Sequence, residues 1–245
     1  MVSQTLHKKG QKLQMIKVIE YDIKPITLIG RCVGNCYGSD TSDDKKNYAR
    51  GKQCILDGHG RVEEYPSITL EIDGYSIKTI REFYTHIIGT TRTQESTRYV
   101  NMKERGYVVP PKVENDDSAF CLYNNHMLSI FDTYEELVAL GIPKEDASMI
   151  LPLGMKTKIV VKMNVRALLH MAQVRMCSRA YHEFQQLMLE IKKTLLMLSP
   201  EWQEIALMMK PKCEVVGYCE EHHSCGRRLP KKVVMDMIER EMKKC

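Results

Sequence analysis

No stretch of this chain is apolar for long enough to cross a bilayer as a helix, which excludes a helical membrane protein. It also lacks a glycine-rich loop between a strand and a helix, so an ordinary Rossmann dinucleotide domain is excluded. Charge of one sign is nowhere gathered into a block. Lys+Arg of 36 against Asp+Glu of 31 leaves a formal +5 spread along the sequence, which argues against a nucleic-acid tail and leaves anionic small molecules as suitable partners. Nor does a signal peptide precede the cysteines. The nine of them (Cys32, Cys36, Cys54, Cys121, Cys177, Cys213, Cys219, Cys225 and Cys245) form an odd set, which fits reduced thiols in a cytoplasmic protein better than a disulfide framework. What is present is enough for a core. With 245 residues and 43% hydrophobic content, the chain is expected to form one domain, or one domain with an appendage, and not a disordered or fibrous protein.

The chain is organised around Arg81 to Asn101, REFYTHIIGTTRTQESTRYVN. An amphipathic helix leads into this stretch, and a run of charged and hydroxyl residues leaves it. Arg92 and Arg98, separated by Thr, Gln and Ser, suit a bound phosphate or carboxylate, because guanidinium and hydroxyl groups together satisfy anionic oxygens. The run has no apolar face, so a solvated loop is the alternative.

Residues 1–14 read as a flexible leader, and Met15 to Tyr21 alternates as a strand should. Pro25 to Gly34 is apolar enough for a helix or a second strand. Asn47 to Leu56 reads as a helix closed by Asp57-Gly58, and His59 follows between two glycines, either solvated or open to a ligand. Ser67 to Ile72 is the clearest strand, with Asp73-Gly74 expected as its closing turn. Ser76 can cap a helix carrying Ile77, Ile80, Tyr84, Ile87 and Ile88 on one face. Residues 103–115 read as a connector, and DTYEELVAL from Asp132 has the capping-box pattern of a short helix ended by Gly141. Lys158 to Met163 reads as a strand running into a helix capped by Asn164, which sets Arg166 and His170 one turn apart.

Ala180, Phe184, Leu187, Met188, Ile191, Leu195 and Leu198 form a long apolar stripe suited to core or subunit packing. Residues 211–245 shift in composition to a Cys/His-containing extension with a terminal charged amphipathic helix. Cys213, Cys219, His222 and Cys225 have the donor types for zinc. Their five-residue gaps, however, do not match the paired spacing of common zinc modules, so a metal-free reduced tail is the expected reading and zinc the alternative.

Four passages, in order, resemble the flavin-dependent thymidylate synthases: GHGRVEEYPSITLEIDG, REFYTHIIGTTRTQESTRYVN, ILPLGMKTKIVVKMNVRALLH and VRMCSRAYHEF. The resemblance runs from about Met15 to about Cys225, and 15–210 is read as the family's domain. It implies an α/β (α+β) fold with helices around a small, mainly antiparallel sheet. The family's Arg-His-Arg triplet reads Thr85-His86-Ile87 here, and its Ser-x-Arg-Tyr end is present as Ser96, Arg98 and Tyr99.

Carried over by position, the resemblance places FAD against His59, Arg61, Thr85, His86, Ile87, Asn164, Arg166 and His170, with Arg92 as a substitute cation. It places deoxyuridylate (dUMP) against Arg81, Glu82, Gln94, Glu95, Ser96 and Arg98, with Arg175 polarising the uracil ring as the catalytic residue. A further family arginine falls near Ser148, where this chain has no cation. The implied reaction is reductive methylation of dUMP to dTMP. Methylenetetrahydrofolate donates the carbon, FAD and NADPH the reducing equivalents, and a cytoplasmic homotetramer shares its active sites, with no nucleic acid or membrane as partner. Two alternatives stay open: one-carbon transfer to another pyrimidine nucleotide, and a flavin-free binding protein on the same fold.

Overall fold

A computed structural model describes residues 15–243; the expected leader, 1–14, and Cys245 lie outside the described residues. Four strands, β1 (Met15–Tyr21), β2 (Ser67–Ser76), β3 (Thr90–Gln94) and β4 (Lys156–Asn164), make one antiparallel sheet in the order β1-β2-β4-β3. The helices in chain order are α1 (Pro25–Cys36), α2 (Asp44–Leu56), α3 (Ile77–Phe83), α4 (Pro111–Glu114), α5 (Asp117–Ala139) and α6 (Lys144–Ala147). They continue with α7 (Val165–Arg175), α8 (His182–Leu196), α9 (Pro200–Met208), α10 (Lys212–Val216) and α11 (Lys231–Met242). The mixed helix-and-sheet class is the one expected, and no described helix is long and apolar enough to cross a membrane.

The chain divides into two compact units. One takes residues 15–19 together with Leu70–Thr85 and Thr91–Val161. Its core gathers Met102, Tyr107, Met127, Phe131, Tyr134 and Met155, with the Tyr107 and Phe131 rings stacked at 6.1 Å and the Tyr107 hydroxyl donating to Asn124 Oδ1. The other takes Glu20–Thr69, His86–Thr90 and residues 162–243. In it α1 lies against α2, and glycine permits the approach: a Cβ on Gly30 would sit 1.7 Å from the Asn47 carbonyl oxygen, and one on Gly51 would sit 2.0 Å from that of Ile26. Fully buried Trp202 on α9 donates its indole N–H to the Asp22 carbonyl at 2.7 Å, and Glu201 accepts from the Thr27 hydroxyl at 2.6 Å and from its amide at 2.9 Å.

Several local expectations change. Pro25–Cys36 is a helix, begun by a proline that fixes φ at its first position, which resolves the helix-or-strand choice. β2 does not turn at Asp73-Gly74 but runs on to Ser76, because Gly74 takes a φ of 85 within the strand while Tyr75 is fully buried and Arg105 holds Asp73 at 3.2 Å. Ser76 caps α3 as expected, accepting from the Thr79 amide at 3.2 Å. The helix stops at Phe83, however, leaving Ile87 and Ile88 exposed beyond it. The hydroxyl run is partly β3, ordered by pairing with β4 and not by a pattern of its own. Asp132 is no cap: it lies inside α5, whose cap is Asp116, accepting from the Ala119 amide at 2.9 Å. Within the α8 stripe Phe184, Leu187, Met188, Ile191 and Leu195 are all at 0% exposure and pack into the core of their own chain.

Candidate active site

Within the first unit, the expected nucleotide residues come from the end of α3, from β3 and from the turn after it. Arg81 and Glu82 close α3, and Thr85 donates its hydroxyl to the Glu82 carbonyl at 2.7 Å. Arg92 lies with its guanidinium 4.6 Å from the Tyr84 ring centre and donates to the Tyr84 carbonyl at 3.1 Å, which fixes its direction by cation–π attraction as well as hydrogen bonding. Gln94 reaches Thr157 on β4 at 3.2 Å, and the Glu95 amide donates to the Lys158 carbonyl at 2.9 Å. The chain then turns: Ser96 Oγ accepts from the Arg98 amide at 3.3 Å, and its carbonyl accepts from Tyr99 and Val100. Arg98 pairs with Glu145 at 2.7 Å. Both side chains are more than half exposed, and exposed pairs contribute only about 0–1 kcal/mol, so an arriving anion can displace Glu145 at little cost.

Around Glu95 the structure adds residues that sequence reasoning missed. Arg105 pairs with both Glu95 and Asp73 from the connector, while the second Glu95 oxygen is buried without a hydrogen-bond partner. Lys156, 6% exposed on β4, belongs to the same neighbourhood. Burial pulls its ammonium pKa below the ordinary lysine range, and the charge of Asp73 opposes this only in part. The only sequence signal for this group was the alternation of Lys156 and Lys158 along a strand.

Within the second unit, the expected flavin residues fall into two groups. His59 and Arg61 flank Gly60 at the start of a 3-10 turn and, with Val33, Cys36, Tyr37 and Cys54, line a cavity of about 350 Å³. Gly60 also lies against Arg166: a Cβ there would be 3.4 Å from Arg166 Nε, and Arg166 itself pairs with Glu64 at 2.5 Å. The second group gathers on α7. Asn164 caps the helix, its Oδ1 accepting from the Ala167 amide at 2.8 Å, while its own amide donates to the Gly89 carbonyl at 2.9 Å. Arg175, at the other end of α7, donates from Nε to His86 Nε2 at 2.9 Å. An arginine N–H can only donate, so that histidine nitrogen presents its lone pair. Phe184 backs the pair, 4.8 Å from the guanidinium and 6.1 Å from the His86 ring, and His170 meets His86 edge-on at 6.3 Å. Residues 86, 170, 175 and 184, drawn from three of the motif passages, thus form one cluster. Ile87 next to it is 70% exposed.

Among the described residues no three His, Cys, Asp or Glu side chains are arranged to hold a metal ion, and His222 and His223 contact each other at 3.3 Å.

A model of the family described as thymidylate synthase complementing protein matches residues 17–201. The flavin-dependent thymidylate synthase of Geobacter sulfurreducens is 31% identical over 222 residues, covering 86% of this chain and 94% of the relative. That of Pyrococcus furiosus is 31% identical over 173 residues, 67% of this chain and 69% of the relative. A solved UMP/dUMP methylase, PolB of Streptomyces cacaoi bound with 5-Br dUMP, superposes with a TM-score of 0.65 over 78% of this chain and 93% of its own at 18% identity, a likeness of fold alone. Fold and relatives define the class: an enzyme of the methyltransferase type on a mixed helix-and-sheet scaffold. The chain belongs to the thymidylate synthase complementing protein family.

Proposed function

We propose that this enzyme methylates C5 of dUMP reductively to give dTMP, with methylenetetrahydrofolate as carbon donor and with FAD and NADPH supplying the reducing equivalents. The observation that carries the reading is the Arg175–His86 pair backed by Phe184 with His170 alongside, since these residues were expected at the flavin and at the uracil from separate parts of the sequence. The donor set suits a flavin. His86, His170, Asn164 and Arg166 offer ring, amide and guanidinium groups to its carbonyls and phosphates, with His59, Arg61, Thr85, Ile87 and Arg92 completing the proposed set. When bound, the flavin supplies the hydride that reduces the transferred carbon.

The protein's own part is to bind, orient and stabilise charge. Arg98, with Ser96, Gln94, Glu95, Arg81 and Glu82, recognises the nucleotide, and the weakly held Glu145 gives way to phosphate. Arg175 faces the ring oxygen or N3, where negative charge develops as C5 becomes nucleophilic. A permanent cation there needs no proton transfer to act. His86 fixes the guanidinium direction through Nε, and Phe184 shields it from water. No cysteine is needed as nucleophile. The catalytic domain is read as 15–210, with 211–245 as an extension, in a cytoplasmic homotetramer whose copies share each active site.

The test compares tritium release from C5-labelled dUMP and deoxycytidylate by protein preincubated with FAD, alongside Arg175→Ala. Release from dUMP, abolished in the variant while flavin absorbance is retained, is the expected result. Release from deoxycytidylate alone would instead favour the second reading, a different pyrimidine nucleotide, to which Ser148 points because it stands where the family carries an arginine. Protein that remains colourless with FAD would sink the flavin assignment.

A further inference from the structure

A cavity of about 480 Å³ has His170 in its wall but is otherwise lined by residues that take no part in this reaction scheme. Four of the nine cysteines line it: Cys177, just beyond α7, and Cys213, Cys219 and Cys225 from the extension. Two contacts tie the segment around Cys177 to the loop around Cys225: Arg227 donates to the Met176 carbonyl at 3.1 Å, and Arg179 pairs with Glu221 at 3.3 Å.

We propose that Cys225 and Cys177 form a peroxide-responsive dithiol site in which Cys225 is the attacking sulfur and Cys177 the resolving one. The chemistry balances in two steps. The Cys225 thiolate attacks a peroxide oxygen, an S–O bond forms as O–O breaks, and hydroxide leaves; the sulfur becomes a sulfenic acid, oxidised by two electrons. Cys177 then attacks that sulfur, S–S forms as S–O breaks, and the departing hydroxide takes the Cys177 proton. Two thiols and one hydrogen peroxide yield one disulfide and two waters.

The surroundings divide the roles. Cys225 is exposed, and hydrogen bonds from Ser178 and from the Arg227 amide, together with the Arg227 charge, lower its thiol pKa and favour the reactive thiolate. Cys213 is pushed the other way by burial, and Cys219 is buried, so neither competes as the first sulfur to react. The cross-link would fasten the extension to the segment two residues beyond Arg175.

The experiment uses the full-length protein, exposed to increasing hydrogen peroxide, blocked with N-ethylmaleimide and mapped as non-reduced peptides by mass spectrometry. Cys36 and Cys121, also exposed but outside this cavity, serve as internal references. A Cys177–Cys225 linked peptide should appear at least tenfold earlier in peroxide dose than oxidation of either reference. Cys177→Ser should leave Cys225 as a sulfenic acid trapped by dimedone, and Cys225→Ser should leave Cys177 reduced. The wild-type arm decides the matter even where a variant fails to fold. Oxidation of Cys225 no sooner than Cys36 and Cys121, linkage of Cys225 to another cysteine, or one equivalent of zinc with all four thiols silent to peroxide would each overturn the proposal.

Discussion

Gly89 and Asn164 should be energetically coupled, and the coupling can be worked out from their geometry. Gly89 has a φ of 72, and a Cβ there would fall 2.5 Å from Asn164 Oδ1 and 2.6 Å from Nδ2. Gly89→Ala therefore does two things. It places an L side chain in the left-handed region, at about 1–2 kcal/mol, and it drives the Asn164 carboxamide off the Ala167 amide, forfeiting an N-cap worth about 1 kcal/mol. Asn164→Ala alone loses only the cap. If the two were independent, the double variant would lose the cap twice, for about 3–4 kcal/mol in all; because the cap can be lost only once, the expected sum is about 2–3 kcal/mol. The coupling of about 1 kcal/mol is read from urea unfolding of the four proteins followed by circular dichroism, and Gly89→Ala alone should lower Tm by roughly 4–12 °C. Retention of FAD should fall in both single variants, since each disturbs Asn164. Strict additivity would refute the clash, and so would an unchanged FAD affinity in Gly89→Ala.

Trp202→Phe should destabilise the fold by roughly 2–3 kcal/mol, because it removes buried volume and also leaves the Asp22 carbonyl without its indole donor; a loss below 1 kcal/mol in urea unfolding would contradict this. Lys156→Met tests a buried ammonium. The folded pKa lies below the unfolded one, so the burial penalty is fully present at neutral pH and fades as pH rises through the folded pKa toward 10.5. The variant should therefore melt a few degrees higher than wild type at pH 7, by about 2–4 °C per kcal/mol, with the gap closing as pH rises toward 10.5; a gap that widens with pH would reverse the argument. Arg105→Ala removes the partner of a part-buried Glu95 and should cost about 1–3 kcal/mol while weakening dUMP binding, measured by calorimetry; unchanged affinity would separate Glu95 from the nucleotide.

Caps and alternation were legible in the sequence because they are local. Ser76 and Asn164 cap the helices they were expected to cap, and Ile68, Leu70 and Ile72 face inward with the strand period. Misreadings arose where a distant partner overrides a local signal. The Asp73-Gly74 pair looks like a turn, yet it stays in β2 because Arg105 grips Asp73 and Tyr75 is buried. The stretch TTRTQ has no apolar face, yet it is a strand because β4 supplies its hydrogen bonds. Asp132 has the spacing of a capping box, yet nothing before it breaks the helix that began at Asp117.

By itself, then, the sequence determined the family, the order of elements and which residues carry the motifs, since those follow from spacing along the chain. Only the tertiary structure decided that Arg175 meets His86 in front of Phe184, that Arg98 is held by a displaceable Glu145, and that four cysteines share one cavity. Such contacts join residues tens of positions apart, and they form only when packing brings those residues together.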